Sequence, residues 1–196
     1  MLSSFTPMGC VTLDSLPPIK NPQILKSGLP SNHLIDGVPW YRQGSAECGP
    51  TSLAMVLNFY GKNVTKDEIA RWLMKAGKYG TNVEDLEYYA RQQQGFKGFR
   101  LYDRSPERME MRYWLAQGYP LIAIGTIPPN RHQRGTLLRH HFVVVVGYDD
   151  PNKNFIIQDP NYGRNGREKT KVPYDVFIDF QTYPKFPQGT LCFYPP

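Results

Sequence analysis

Pro50 sits two residues after Cys48 in the stretch Gln43-Gly44-Ser45-Ala46-Glu47-Cys48-Gly49-Pro50-Thr51-Ser52, and the pair fixes where a helix begins. Proline has no N–H to donate and fits a helix only within its first turn. Beyond it, Leu53, Val56, Leu57 and Tyr60 recur at helical spacing, and Gly61 is a natural stop. The spacing predicts a helix over Cys48 to Tyr60 with the cysteine at its start. A thiol there faces unpaired backbone N–H groups and the positive end of the helix dipole. Both favour the thiolate, which is the nucleophilic form. Gln43 lies five residues upstream, with a side-chain amide able to loop back toward the sulfur. The stretch therefore predicts a nucleophilic cysteine with an oxyanion donor beside it.

The rest of the chain supplies elements to pack against that helix. Residues 1–34 hold Pro7, Pro17, Pro18, Pro22 and Pro30 without sustained periodicity, and read as an extended arm or linker ahead of a domain over 35–196. Thr65-Lys66-Asp67-Glu68 and Thr81-Asn82-Val83-Glu84 have the form of capping boxes and predict two further helices, the second closed by Gly95. Phe96 to Tyr102 reads as a strand. Ser105-Pro106 then opens a helix to Gln117. Strands are predicted at Leu121 to Gly125, His140 to Tyr148, Phe155 to Gln158 and Thr190 to Tyr194, with a short helix over Asp175 to Phe180. Helices come first and strands second, which argues an α+β domain.

Two strand ends carry residues that chemistry can use. His141 begins an apolar strand, and Asp159 ends the next one in Ile156-Ile157-Gln158-Asp159-Pro160. Paired as an antiparallel hairpin, the start of the first strand lies beside the end of the second, so His141 and Asp159 become neighbours. A carboxylate beside an imidazole fixes its tautomer and favours the imidazolium, which holds a nearby thiolate and later protonates a leaving amine. Successive strand residues face opposite sides, so only one of His140 and His141 can point at Cys48. Taken singly, each residue has a plain structural reading. Cys48 is a small buried hydrophobe, His141 a hydrogen-bonded core histidine, Asp159 the start of a turn and Gln43 a loop amide. Their joint arrangement argues for a constellation. A metal site from His132, His140 and His141 lacks the usual paired-ligand spacing, and no cofactor is implied.

Composition closes off other classes. The longest apolar runs, such as Phe142 to Val146, fall far short of the ~20 residues of a membrane span. The net charge is +6, with basic clusters at Arg131, Arg134 and Arg139 and at Arg164, Arg167, Lys169 and Lys171. These read as solvated loops or as a basic rim that attracts acidic partners. No nucleic-acid-binding motif accompanies them. Cys10, Cys48 and Cys192 are too few for a disulfide framework, and the sequence leaves open whether Cys10 pairs with Cys192. Met8-Gly9-Cys10 is similar to the end of a bacterial lipoprotein signal, yet the apolar region that precedes such a cysteine is missing. No compartment follows. A chain trimmed of a signal belongs to the bacterial envelope or the medium, an untrimmed one to the cytoplasm.

The run Cys48-Gly49-Pro50-Thr51-Ser52-Leu53-Ala54-Met55-Val56-Leu57, with Tyr60-Gly61 after it, resembles the catalytic-cysteine helix of the C39-like peptidases, a group of papain-like cysteine peptidases. His141-Phe142-Val143-Val144-Val145 with Gly147-Tyr148 is similar to that family's histidine strand, and Gln158-Asp159-Pro160 to its aspartate motif. The resemblance covers roughly 36–195. It implies a papain-like fold, in which the nucleophile stands at a helix N-terminus packed on an antiparallel sheet. Cys48 would be the nucleophile, His141 the base and acid, Asp159 the residue that orients it, and Gln43 the oxyanion donor. It implies a peptide or protein substrate cut through an acyl-enzyme. The best-known members cut leader peptides within an exporter, but no transmembrane or ATP-binding motif is present here. Acyl transfer of the transglutaminase or phytochelatin-synthase type uses the same triad, and a peptide-binding module without turnover keeps the same scaffold.

Overall fold

The computed structural model describes residues 16–74, 78–103, 105, 108–126, 140–161, 169–182 and 189–196. In chain order the elements are α1 (Ile24–Ser27), β1 (Asn32–Leu34), α2 (Cys48–Phe59), α3 (Lys66–Leu73), α4 (Val83–Tyr88), β2 (Lys97–Leu101), α5 (Met109–Ala116), β3 (Leu121–Thr126), β4 (His140–Asp149), β5 (Asn154–Gln158), β6 (Thr170–Pro173), α6 (Tyr174–Thr182) and β7 (Thr190–Tyr194). All strand pairs are antiparallel, in the order β2-β7-β3-β4-β5-β6, and β1 adds to β4. The α+β expectation holds, with α2 as its central helix. Every residue from Gly49 to Leu57 is buried, and α2 packs on β3, β4, α3 and α4.

Capping chemistry explains the helix starts. Thr65 and Glu68 form both halves of the predicted box at α3. At α4 the box sits one residue later than expected: Asn82 accepts from the Asp85 N–H, and Asp85 accepts from Asn82. Asn is the stronger N-cap residue, and the Thr81 hydroxyl is buried elsewhere. The chain continues from α4 into a π-helical turn over Tyr89–Gln93. Helix α5 also starts later than Ser105-Pro106 suggested. Asp103 accepts the N–H groups of Glu110 and Met111, and Ser105 Oγ accepts that of Met109, so the cap reaches in from outside the helix.

Residues 16–34 lie on the sheet through hydrogen bonds. Tyr119 donates to Pro18 O at 2.7 Å, Tyr148 to Pro30 O at 2.9 Å, and Gln117 exchanges two bonds with Asn21. Strand β1 occupies the stretch of β4 beyond β3, with Leu34 opposite Gly147. A Cβ at position 147 would lie 2.3 Å from His33 O, so a side chain there would push β1 off. Strands β1 and β6 were not expected from the sequence. Each has little periodicity of its own and is a strand because a partner offers an edge. Among the basic residues, Lys169 pairs with Asp36 at 2.8 Å and Lys171 with Asp149 at 2.9 Å. Arg131, His132, Arg134, Arg139, Arg164, Arg167 and Cys10 lie outside the described residues, and Cys192 is a free, buried thiol.

Candidate active site

Hairpin β4–β5 does what its register demands. Val144 pairs with Gln158 as the last rung before the strands part. Asp159 directly follows β5, and His141 lies on the same face of β4 as Val143, so the two side chains meet diagonally. His141 Nε2 and Asp159 Oδ1 are 2.7 Å apart. The carboxylate is held from a second side, because Oδ1 also accepts the Asn161 N–H at 2.8 Å. His141 is 6% exposed, whereas its neighbour His140 is exposed, so strand alternation has selected one of the two histidines.

Cys48 is the first residue of α2, and His141 acts on the ionisation of its thiol. Asp159 takes Nε2, which leaves Nδ1 of the imidazole for the sulfur. The backbone N–H groups of Phe142, beyond the last β4–β5 rung, and of Gly49, at the helix start, add to the stabilisation of the thiolate. Burial opposes ionisation of the thiol. The His141 hydrogen bond and charge, with the two backbone N–H groups, outweigh it and hold the Cys48 pKa below its ordinary value. For His141, burial disfavours the imidazolium. The hydrogen bonds and charges of Asp159 and Cys48 prevail and push its pKa up to about 9. The two shifts oppose one another in the sense that favours a thiolate–imidazolium pair at neutral pH. Gly49 lets α2 approach this closely: a Cβ there would lie 2.1 Å from Thr81 Oγ1 and 3.3 Å from the Phe142 ring.

Gln43 is held by its backbone, its N–H donating to Pro160 O at 2.9 Å. Its Nε2 makes only a long contact with Gly44 O, at 3.3 Å, and its buried Oε1 has no partner among the described residues. Two further bonds fasten the approach to Gln43 onto the end of β5. Trp40 Nε1 donates to Asp159 O at 3.1 Å, and Gln158 Nε2 to Val38 O at 2.9 Å. The loop after Gln43 is gripped from the other side, with Ser45 Oγ and Tyr79 OH 3.0 Å apart and Glu47 bonded to Lys66. Sequence reasoning missed Trp40, Glu47, Lys66, Tyr79 and Thr81. Nothing local marks them, because each acts on a segment remote in sequence or turned back on itself. Among the described residues, no group of three or more His, Cys, Asp or Glu side chains is placed to hold a metal ion.

A thiol at a helix start, facing a histidine on an antiparallel sheet, defines a class: the papain-like cysteine peptidase fold. A sequence profile of the Peptidase_C39 like family matches residues 35–188, and the chain belongs to that family. Solved structures agree on the fold. A C39-like peptidase from Bacillus anthracis is 21% identical with a TM-score of 0.63, over 84% of this chain and 98% of that one. Xylellain, a cysteine protease from Xylella fastidiosa, is 14% identical with a TM-score of 0.66, over 96% and 94%. A double glycine motif protease from an AMS/PCAT transporter, in complex with its leader peptide, is 25% identical with a TM-score of 0.54, over 84% and 99%. No curated protein matches the chain. Among the described residues, no helix is long and apolar enough to cross a membrane.

Proposed function

We propose that this protein is an active cysteine peptidase that cuts a peptide or isopeptide bond through a Cys48–His141–Asp159 triad and an acyl-enzyme. The observation that carries the reading is the 2.7 Å contact of His141 Nε2 with Asp159 Oδ1, on an imidazole whose charge also lowers the pKa of Cys48 at the start of α2. The Cys48 sulfur attacks the scissile carbonyl carbon, and the carbonyl π pair moves onto oxygen. The Cys48 backbone N–H and the Gln43 side-chain amide, released from its long contact with Gly44 O, stabilise that oxyanion. The His141 imidazolium gives its proton to the leaving amine as the C–N bond breaks, which leaves a thioester on Cys48. Neutral His141 then takes a proton from water, the hydroxide equivalent attacks the thioester, and the C–S bond breaks. The acid departs, and the thiolate–imidazolium pair is restored.

An extended peptide is the substrate class this reading favours. The relative at 25% identity holds a leader peptide, and residues 38–43 are fixed along Gln158 to Pro160, the stretch that carries Asp159. The test is a peptide library incubated with the wild type and with Cys48→Ala, with products read by mass spectrometry and an added amine in a parallel sample. The proposal expects new termini and a trapped thioester only with the wild type. Amine-capped products in place of free acids indicate acyl transfer. Peptide binding without turnover in the wild type indicates a binding module and contradicts the proposal.

A further inference from the structure

Glu47 is an unusual residue to find at the N-cap of α2. Ser, Thr, Asp or Asn would accept a first-turn N–H there, and Glu47 makes no such bond. Its Oε2 turns back to accept the Gly44 N–H at 2.8 Å and Lys66 Nζ at 2.9 Å. Two consequences follow. The first-turn N–H groups of α2 receive no side-chain cap from Glu47, and they lie at the helix end that Cys48 begins. The segment from Gly44 to Glu47 is also closed into a tight turn. Ala46 has φ +58 in that turn, a left-handed conformation that a residue with a Cβ keeps only where its surroundings enforce it. A Cβ on residue 44 would lie 2.4 Å from Glu47 Oε2, so a side chain there would displace the carboxylate from the Gly44 N–H.

Lys66 completes the clamp from a different element. It is the first residue of α3, where the helix dipole disfavours a cation. Its ammonium is held there by Glu47 at 2.9 Å and Asp67 at 2.5 Å. The carboxylate that closes the turn is thus anchored to a helix outside it. Gln43, one residue before the turn, is fixed at its other side by Pro160 O.

We propose that Glu47, clamped by Lys66, is a positioning residue for acylation: it holds the Gly44–Ala46 turn so that the Gln43 amide and the uncapped N–H groups of α2 converge on one oxyanion site. The inference rests on the peptidase reading above. It predicts that Glu47 matters to reactions that develop an oxyanion and not to those that do not. Two small probes of the full-length protein separate these. Iodoacetamide alkylates Cys48 by displacement of iodide, with no oxyanion. p-Nitrophenyl acetate acylates it: the sulfur attacks the acetyl carbon through an oxyanion, and the C–O bond breaks to release p-nitrophenolate.

For Glu47→Ala the expected result is p-nitrophenolate release slowed about tenfold or more, with alkylation within about twofold of wild type. Glu47→Gln, which keeps an acceptor for Gly44, recovers most of the rate. Lys66→Met, which leaves the Cys48 loop sequence intact, loses part of it. Equal acylation in wild type and Glu47→Ala overturns the inference, and so does a parallel fall of both reactions in Glu47→Ala and Lys66→Met. A wild type that is alkylated but releases no p-nitrophenolate contradicts the peptidase reading itself, and the inference with it.

Discussion

Cys48 and Cys192 are both free thiols held against the same core, one at the start of α2 and the other in the middle of β7. Cys192 lies between Phe99 of β2 and Leu121 of β3 and is fully buried. Burial pushes its pKa far above the ordinary thiol value, and the Lys20 charge does not outweigh it. Cys48 is partly buried too, and burial is again the largest influence on its ionisation. Its shift nevertheless runs the other way, because His141 and two backbone N–H groups address the sulfur. Hydrophobic contact alone makes a thiol inert. A helix start beside a histidine, at the parting of two strands, favours the thiolate instead.

The largest expected effect would break this contrast outright. Cys48→Ala should reduce turnover to background, while Cys192→Ala should keep kcat near wild type and lower stability by about 1–2 kcal/mol in urea unfolding. Loss of activity in Cys192→Ala without loss of fold would show that the two sites are not separable. Next, His141→Ala should lower kcat/KM by about a thousandfold and slow alkylation of Cys48 at pH 6.5 toward that of a free cysteine, with no change at Cys192. A smaller and sharper effect concerns Asp159. In the proposed mechanism the competent form is thiolate with imidazolium, so activity should rise as pH climbs through the depressed Cys48 pKa and fall as it climbs through about 9, where His141 loses its proton. Asp159→Asn removes a charge that stabilises the imidazolium. The alkaline limb of kcat/KM should therefore move to lower pH, with activity down about ten- to a hundredfold. An unmoved alkaline limb would place its origin outside His141.

The same contrast explains what the sequence revealed. Helix α2 was legible because Pro50 and Gly61 bracket it, and the diagonal contact of His141 with Asp159 was legible because a hairpin has only one way to bring those ends together. The box at Asn82 slipped by one residue because the Thr81 hydroxyl is packed against Gly49, a contact far away in sequence. Strands β1 and β6, and the α5 cap supplied by Asp103, depend likewise on partners that no local pattern displays. At the site, the residues of the proposed triad were visible as types at element ends. Glu47 and Lys66 were not, since Glu47 reads as an ordinary polar residue before a helix and Lys66 as part of the α3 capping box. The core around Cys192 announced itself as a closing apolar strand and nothing more.

The most direct test of the central claim is the pH dependence of iodoacetamide alkylation in the native protein, read peptide by peptide by mass spectrometry. Cys48 should react at a rate that stays on its plateau well below the ordinary thiol pKa of about 8.5, while Cys192 stays unlabelled until the protein is unfolded. A Cys48 rate that climbs through about pH 8.5 like that of a free cysteine, or equal labelling of both thiols in the folded state, would contradict the account.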